Sequence, residues 1–277
     1  MKRRGLGARE SVISVATTWA LHGIFAVLTF VTYTRLPPEQ LYNVSREGVA
    51  GGASRTLVFV DFPVAFAAIA ILALMGGRLA WAGIVLCAVA AVPGVLDLDD
   101  LDARPVNALP ALGVAIAVAL TVLRRDRLRD RPHWGDPIRL GLAIPIALIS
   151  VPWLFAEAGF YAPDPIFSEE IPIGETLSAV HLGGHHGTYG ALLALSALLL
   201  SRIARSPWAS GYIALMLAYG TALALEDFWH EQVQKRGTVD WTFPSLLEPR
   251  LVWGWLVIVV AAAAVELLWF RRERSPR

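Results

Sequence analysis

Among 277 residues the chain has one cysteine, Cys87. That excludes an intrachain disulfide and any metal site built on several thiolates. Charge is scarce too, at 17% Asp, Glu, Lys and Arg, where a soluble domain carries roughly 25%. There is no Walker-type phosphate loop, GxGxxG turn or G-x-S-x-G elbow, so the common nucleotide-binding and α/β-hydrolase signatures find no support. Net charge is only +1, and the one arginine-rich stretch is short and interleaved with aspartates. Nucleic acid is therefore not an expected partner.

What is present is apolar. Hydrophobic residues make up 56% of the chain and mean hydropathy is +0.54. Apolar runs fall at 11–33, 56–75, 79–95, 106–123, 139–159, 187–204, 209–228 and 250–270. Eight spans of about 20 residues would occupy roughly 160 positions. The expected fold is an all-α, polytopic integral membrane bundle of about eight transmembrane helices, one membrane domain over 1–277. The first run follows Met1-Lys2-Arg3-Arg4. It is too long for a signal-peptide core and no small-residue cleavage site follows, so it reads as a retained span. Pro63, Pro145 and Pro152 should kink their helices. The 34–55 segment, with Pro37, Pro38 and glycines between 48 and 52, reads as an irregular loop.

The loops give the orientation. Residues 1–10, Arg78, loop 124–139, Arg202, Arg205 and the tail from Arg271 hold most of the 24 lysines and arginines. The alternate loops carry the acidic stretches 97–102 and 164–175. Positive charge marks the cytoplasmic side, so both termini are expected there, in a multi-pass protein of the cell membrane.

Polar residues within the spans need explaining, because an ionised group at a helix centre costs about 2.5–3.5 kcal/mol on insertion scales. The densest group is Ser178, His181, His185 and His186. If helical, His181 and His185 share a face and can ligate one ion, with Ser178 a turn earlier. A second group, Glu226, Asp227 and His230, is expected on one face at the end of the seventh run. Glu157 and Asp61 fall at a similar depth. Four segments thus place ligand-type residues near the outer membrane face. His22 is expected to be hydrogen-bonded within the bundle, His133 solvated, and Glu266 paired with Arg271.

The string His181-Leu-Gly-Gly-His185-His186 resembles the HxxxHH boxes of membrane-bound di-iron desaturases and hydroxylases, over six residues; that resemblance implies iron at these histidines. The inventory Ser178, His181, His185, His230 and Asp227 or Asp61 is similar to that of alkaline ceramidase-type membrane hydrolases, which implies zinc. From the residues themselves the leading expectation is a metal site of His181, His185, His186, Asp227 and His230, holding zinc, copper or iron. Glu157, Glu226 or Ser178 would be the catalytic group, acting on a lipid or other apolar small molecule in the bilayer. Three alternatives stay open. One is haem held by two of His22, His181, His185, His186 and His230. Another is an ion- or proton-coupled transporter or channel using the carboxylates. The last is a structural subunit.

Overall fold

The computed structural model describes residues 12–41, 45–96, 102–160, 180–203, 206–235, 237–243, 246 and 252–274. Within them the long elements are α1 (Ile13–Arg35), α2 (Gly48–Met75), α3 (Arg78–Ala91), α4 (Pro105–Leu123), α5 (Asp136–Ile149), α6 (Val151–Glu157), α7 (His186–Leu200), α8 (Pro207–Gln234) and α9 (Trp253–Arg274). Among the described residues, each predicted apolar run falls largely on helix, but the eight expected spans are not all long enough to cross a membrane. Five of these helices, α1, α2, α4, α8 and α9, are long and apolar enough to cross a membrane. A sixth crossing results if α5 and α6, which meet at 59°, are taken as one bent span. The protein is thus a multi-pass helical membrane protein. α3 and α7 are shorter apolar helices.

The prolines act differently from one another. Pro152 opens α6 and coincides with the 59° break, as expected where a proline ring and its missing N–H disrupt the preceding turn. Pro63 instead sits inside a π turn, Val60–Val64, within α2, which widens the backbone locally and keeps the helix continuous. Pro145 lies within α5, which continues through it. The 34–55 segment is not the irregular loop that its glycines suggest, since α2 already begins at Gly48. Gly51 and Gly52 are used for packing: a Cβ on Gly52 would lie 2.7 Å from the Phe30 carbonyl oxygen. Close approach to α1 stabilises a helix that local propensity disfavours.

α2 and α7 are central, α1, α4 and α9 peripheral. In the most apolar window of α2, 72% of residues are buried, against 28% for α1, α4 and α9. α7 and α8 cross most tightly where Gly190 faces Gly220; a Cβ on either would come within 2.6 Å of the other's carbonyl oxygen. The peripheral helices turn Val, Leu and Ile outward, as at Val122, Leu123, Leu256 and Val260, which suits a hydrocarbon solvent.

The helices run alternately between two ends. At the basic end, Asp130 accepts from the Ser14 N–H at the start of α1 (3.0 Å), and Arg127 donates to the Met75 carbonyl at the end of α2 (2.9 Å). Arg139 forms a forked pair with Glu273 of α9 (2.5 and 3.1 Å) beneath the Trp269 ring. His133, expected to be solvated, is half-buried here with its Nε2 3.0 Å from the Arg202 carbonyl oxygen. Glu266 pairs with Arg274 rather than Arg271 and accepts from Ser210. The opposite end gathers the end of α6, the start of α7 and the end of α8.

Candidate functional site

The start of α7 is shaped by two glycines. Gly183 (φ +79°) and Gly184 (φ +72°) both adopt the left-handed conformation, which other residues enter at a cost of roughly 1–2 kcal/mol. A Cβ on Gly183 would sit 2.3 Å from the Tyr33 hydroxyl, and one on Gly184 1.7 Å from Arg55 Nη2. Both positions therefore need glycine for conformation and for space. This turn breaks the helical face expected to unite His181 and His185: α7 begins only at His186, with His185 extended before it. The turn nevertheless folds back, leaving the His181 and His185 rings 4.6 Å apart.

Three elements fasten this turn. Asp227 of α8 accepts the Gly187 N–H (2.7 Å), and its Oδ2 lies 3.7 Å from His185 Nδ1. His185 Nε2 is 2.8 Å from the His181 carbonyl oxygen. Glu157, at the end of α6, accepts from Thr29 Oγ1 of α1 (2.5 Å) and from the Gly184 N–H (3.0 Å). Asp227, Glu157 and His185 are all buried. Both carboxylates thus stand at the N-terminus of α7, where orphan backbone N–H groups and the helix dipole favour anions.

These contacts set the charge state of the turn. Burial, and then the neighbouring charges of His185 and Lys235, push His181 down to about 2, so its ring is neutral. For His185, burial acts downward, but the Asp227 carboxylate opposite, with the field of Glu231 and the His181 carbonyl, outweighs it and raises the pKa above the ordinary histidine value. His185 also faces an acceptor at each ring nitrogen, which only an imidazolium satisfies at both. The raised pKa and the 3.7 Å Nδ1···Oδ2 separation favour a buried ion pair between His185 and Asp227.

Other expected residues fall elsewhere. His230 is exposed and bonded to Gln234 (2.8 Å) across the π turn His230–Gln234. Glu226 points away from Asp227, half-buried, toward the Leu246 N–H (3.4 Å). Adjacent residues project about 100° apart on a helix, so Glu226 and Asp227 meet different neighbours, and with His230 exposed against Gln234 the three side chains do not converge. Asp61 is buried between α2 and α4, where Asn107 Nδ2 donates to it (2.5 Å). His22 is hydrogen-bonded to Ser196 (3.1 Å), as expected. Ser178 lies outside the described residues. Among the described residues, no three His, Cys, Asp or Glu side chains converge so as to hold a metal ion. The expected ligand set is thus divided between a locked ion pair, a neutral ring and a surface histidine.

Sequence reading missed Arg55, which is 2% exposed at this end, and Glu231, buried beside Asp227 and paired with Lys235 (2.9 Å). Arg55 precedes the apolar run by one residue, in the stretch taken for a loop, which hid it. His186, one residue after the ion pair, is partly accessible, and its ring has no hydrogen-bond partner among the described residues. One turn later Tyr189 packs edge-on against Phe62 at 5.6 Å. The other side of Phe62 borders an apolar cavity of about 240 Å³ lined also by Phe66, Tyr212, Tyr219 and Trp255. No family model, curated protein or solved structure matches the chain.

Proposed function

We propose that this membrane protein binds a lipid or other apolar-bodied molecule and performs acid–base chemistry on it at the start of α7, with His186 as the proton-transferring group. The observation that carries this reading is the burial of Glu157 and of the His185–Asp227 pair against one glycine turn inside a membrane bundle. Ionisable groups in such a setting are costly and mark working sites. In this reading Glu157 and Asp227 position the turn rather than act as bases, because both Glu157 oxygens and Asp227 Oδ2 already accept hydrogen bonds. His186 is presented beside them with its ring nitrogens unengaged. An apolar body would have room further along α7, where Leu193 and Phe62 line the apolar cavity.

The test is mass spectrometry of a total lipid extract before and after incubation with the protein in nanodiscs, together with elemental analysis. Conversion of a lipid species that falls about 100-fold in His186→Ala, the usual scale for losing a general acid–base group, is the expected result. Stoichiometric zinc, copper or iron, lost in His185→Ala, would overturn this reading in favour of the metal-dependent hydrolase or oxidase. Unchanged lipids with proton or ion flux across vesicles would overturn it in favour of transport.

A further inference from the structure

Arg55 stands in the second turn of α2, buried at the same end of the bundle. A guanidinium remains charged in any protein setting and carries five N–H donors with no acceptor. Here Nε, Nη1 and Nη2 all lack a hydrogen-bond partner among the described residues. The group lies over the Tyr33 ring, with Cζ 4.9 Å from its centroid, a contact that engages the face of the guanidinium and not its in-plane N–H donors. The fork reaches the glycine turn, where a Cβ on Gly184 would collide with Nη2. Its charge acts on His186 and Tyr189, and the Tyr189 hydroxyl is itself buried without a hydrogen-bond partner among the described residues. Glu157, the carboxylate on the far side of the Gly184 N–H, is committed to Thr29 and Gly184 and does not pair with Arg55.

A buried cation with every donor idle is expensive, and the expense grows in a membrane. What complements it is an oxyanion, which a guanidinium grips through two parallel N–H···O bonds. The same face of α2 continues as Phe59, Phe62 and Phe66 at helical spacing. Phe59 and Phe62 both pack against Tyr189, and Phe62 and Phe66 line the apolar cavity. A polar head at Arg55 thus has an apolar track running away from it toward the basic end.

We propose that Arg55 anchors the carboxylate or phosphate head of an anionic amphiphile, with the Tyr189 hydroxyl as a second donor. This rests on the lipid reading above and specifies the head that the site takes. The anchor places that head at the same end of the bundle as His186, whose ring feels the Arg55 charge.

The experiment is native mass spectrometry on delipidated protein in a neutral detergent. It is titrated separately with oleate, phosphatidic acid, diacylglycerol and inorganic phosphate, for wild type, Arg55→Met, Arg55→Lys and Tyr189→Phe. Oleate or phosphatidic acid should bind one to one, weakened at least about tenfold in Arg55→Met and less in Arg55→Lys. Diacylglycerol should not distinguish the variants. Ligand-free Arg55→Met should melt no lower than wild type, because it removes an unpaired buried charge. If that variant does not fold, Arg55→Lys and Tyr189→Phe decide, and wild-type affinity in both overturns the anchor. Inorganic phosphate competing as well as phosphatidic acid overturns the amphiphile and leaves a free oxyanion site. Binding of diacylglycerol but of no anionic amphiphile overturns Arg55 as anchor while leaving the lipid reading intact. Binding of none overturns both.

Discussion

His185 lies between the Asp227 carboxylate and the His181 carbonyl, and its ring is worth most to the fold when both nitrogens carry protons. Its pKa in the folded protein is raised, against about 6.5 in an unfolded chain. The stabilisation is therefore complete below about pH 6.5 and declines as pH rises through the folded value. The other charged or titratable groups facing it are Asp227, Glu231, Lys235, His181 and His186. Melting of the detergent-solubilised protein should therefore fall as pH rises above neutrality, and His185→Gln should flatten that dependence. A slope of the same size in His185→Gln would place its origin elsewhere. Residue types alone drew attention to His185 and Asp227, but not to their roles. The same atoms that suit a metal also suit an ion pair, and only the 3.7 Å approach distinguishes them.

Helix contacts depend here on missing side chains more than on large ones, as expected where lipid removes most of the hydrophobic drive between helices. Gly220 is the clearest case. An added Cβ would lie 2.6 Å from the Gly190 carbonyl oxygen and 2.7 Å from the Ala194 nitrogen, backbone atoms that cannot swing aside. Gly220→Ala should destabilise the protein by about 1–3 kcal/mol, the usual range for overpacking. Gly141→Ala, on the exposed side of α5 with nothing within 4 Å, should leave it unchanged or gain about 0.5–1 kcal/mol from helix propensity. Thermal loss of the monodisperse peak in size-exclusion chromatography compares the two. Equal behaviour would show that the α7–α8 crossing has slack. The helices were legible in the sequence because apolar runs of this length declare themselves. Their ends were less so. The start of α2 depends on Gly51 and Gly52 meeting α1, and the start of α7 on Tyr33 and Arg55 crowding Gly183 and Gly184. These contacts join residues more than 100 positions apart in the second case, and no local pattern carries them.

Across the whole molecule, polar contacts concentrate at two ends and differ in kind. At the basic end Arg139, Glu273, Asp136, Arg202 and His133 engage one another in an ion-pair network. Among the described residues, the other end keeps a guanidinium and an imidazole without hydrogen-bond partners. Ion pairs dominate the basic end, while the proposed chemistry rests on the groups at the histidine end. The distribution of lysine and arginine then predicts which way that end faces. If the basic end is cytoplasmic, as positive charge requires, the histidine end opens outward. In a Cys87→Ala background, Thr238→Cys, exposed just beyond α8, should react with a membrane-impermeant maleimide on intact cells. Arg125→Cys, exposed after α4, should react only once the cells are permeabilised. Labelling in the reverse order would turn the site toward the cytoplasm and make its amphiphile an inner-leaflet molecule. Labelling of both positions from outside would break the alternation of helices between the two ends, on which the placement of Arg55, Glu157 and Asp227 at a common depth depends.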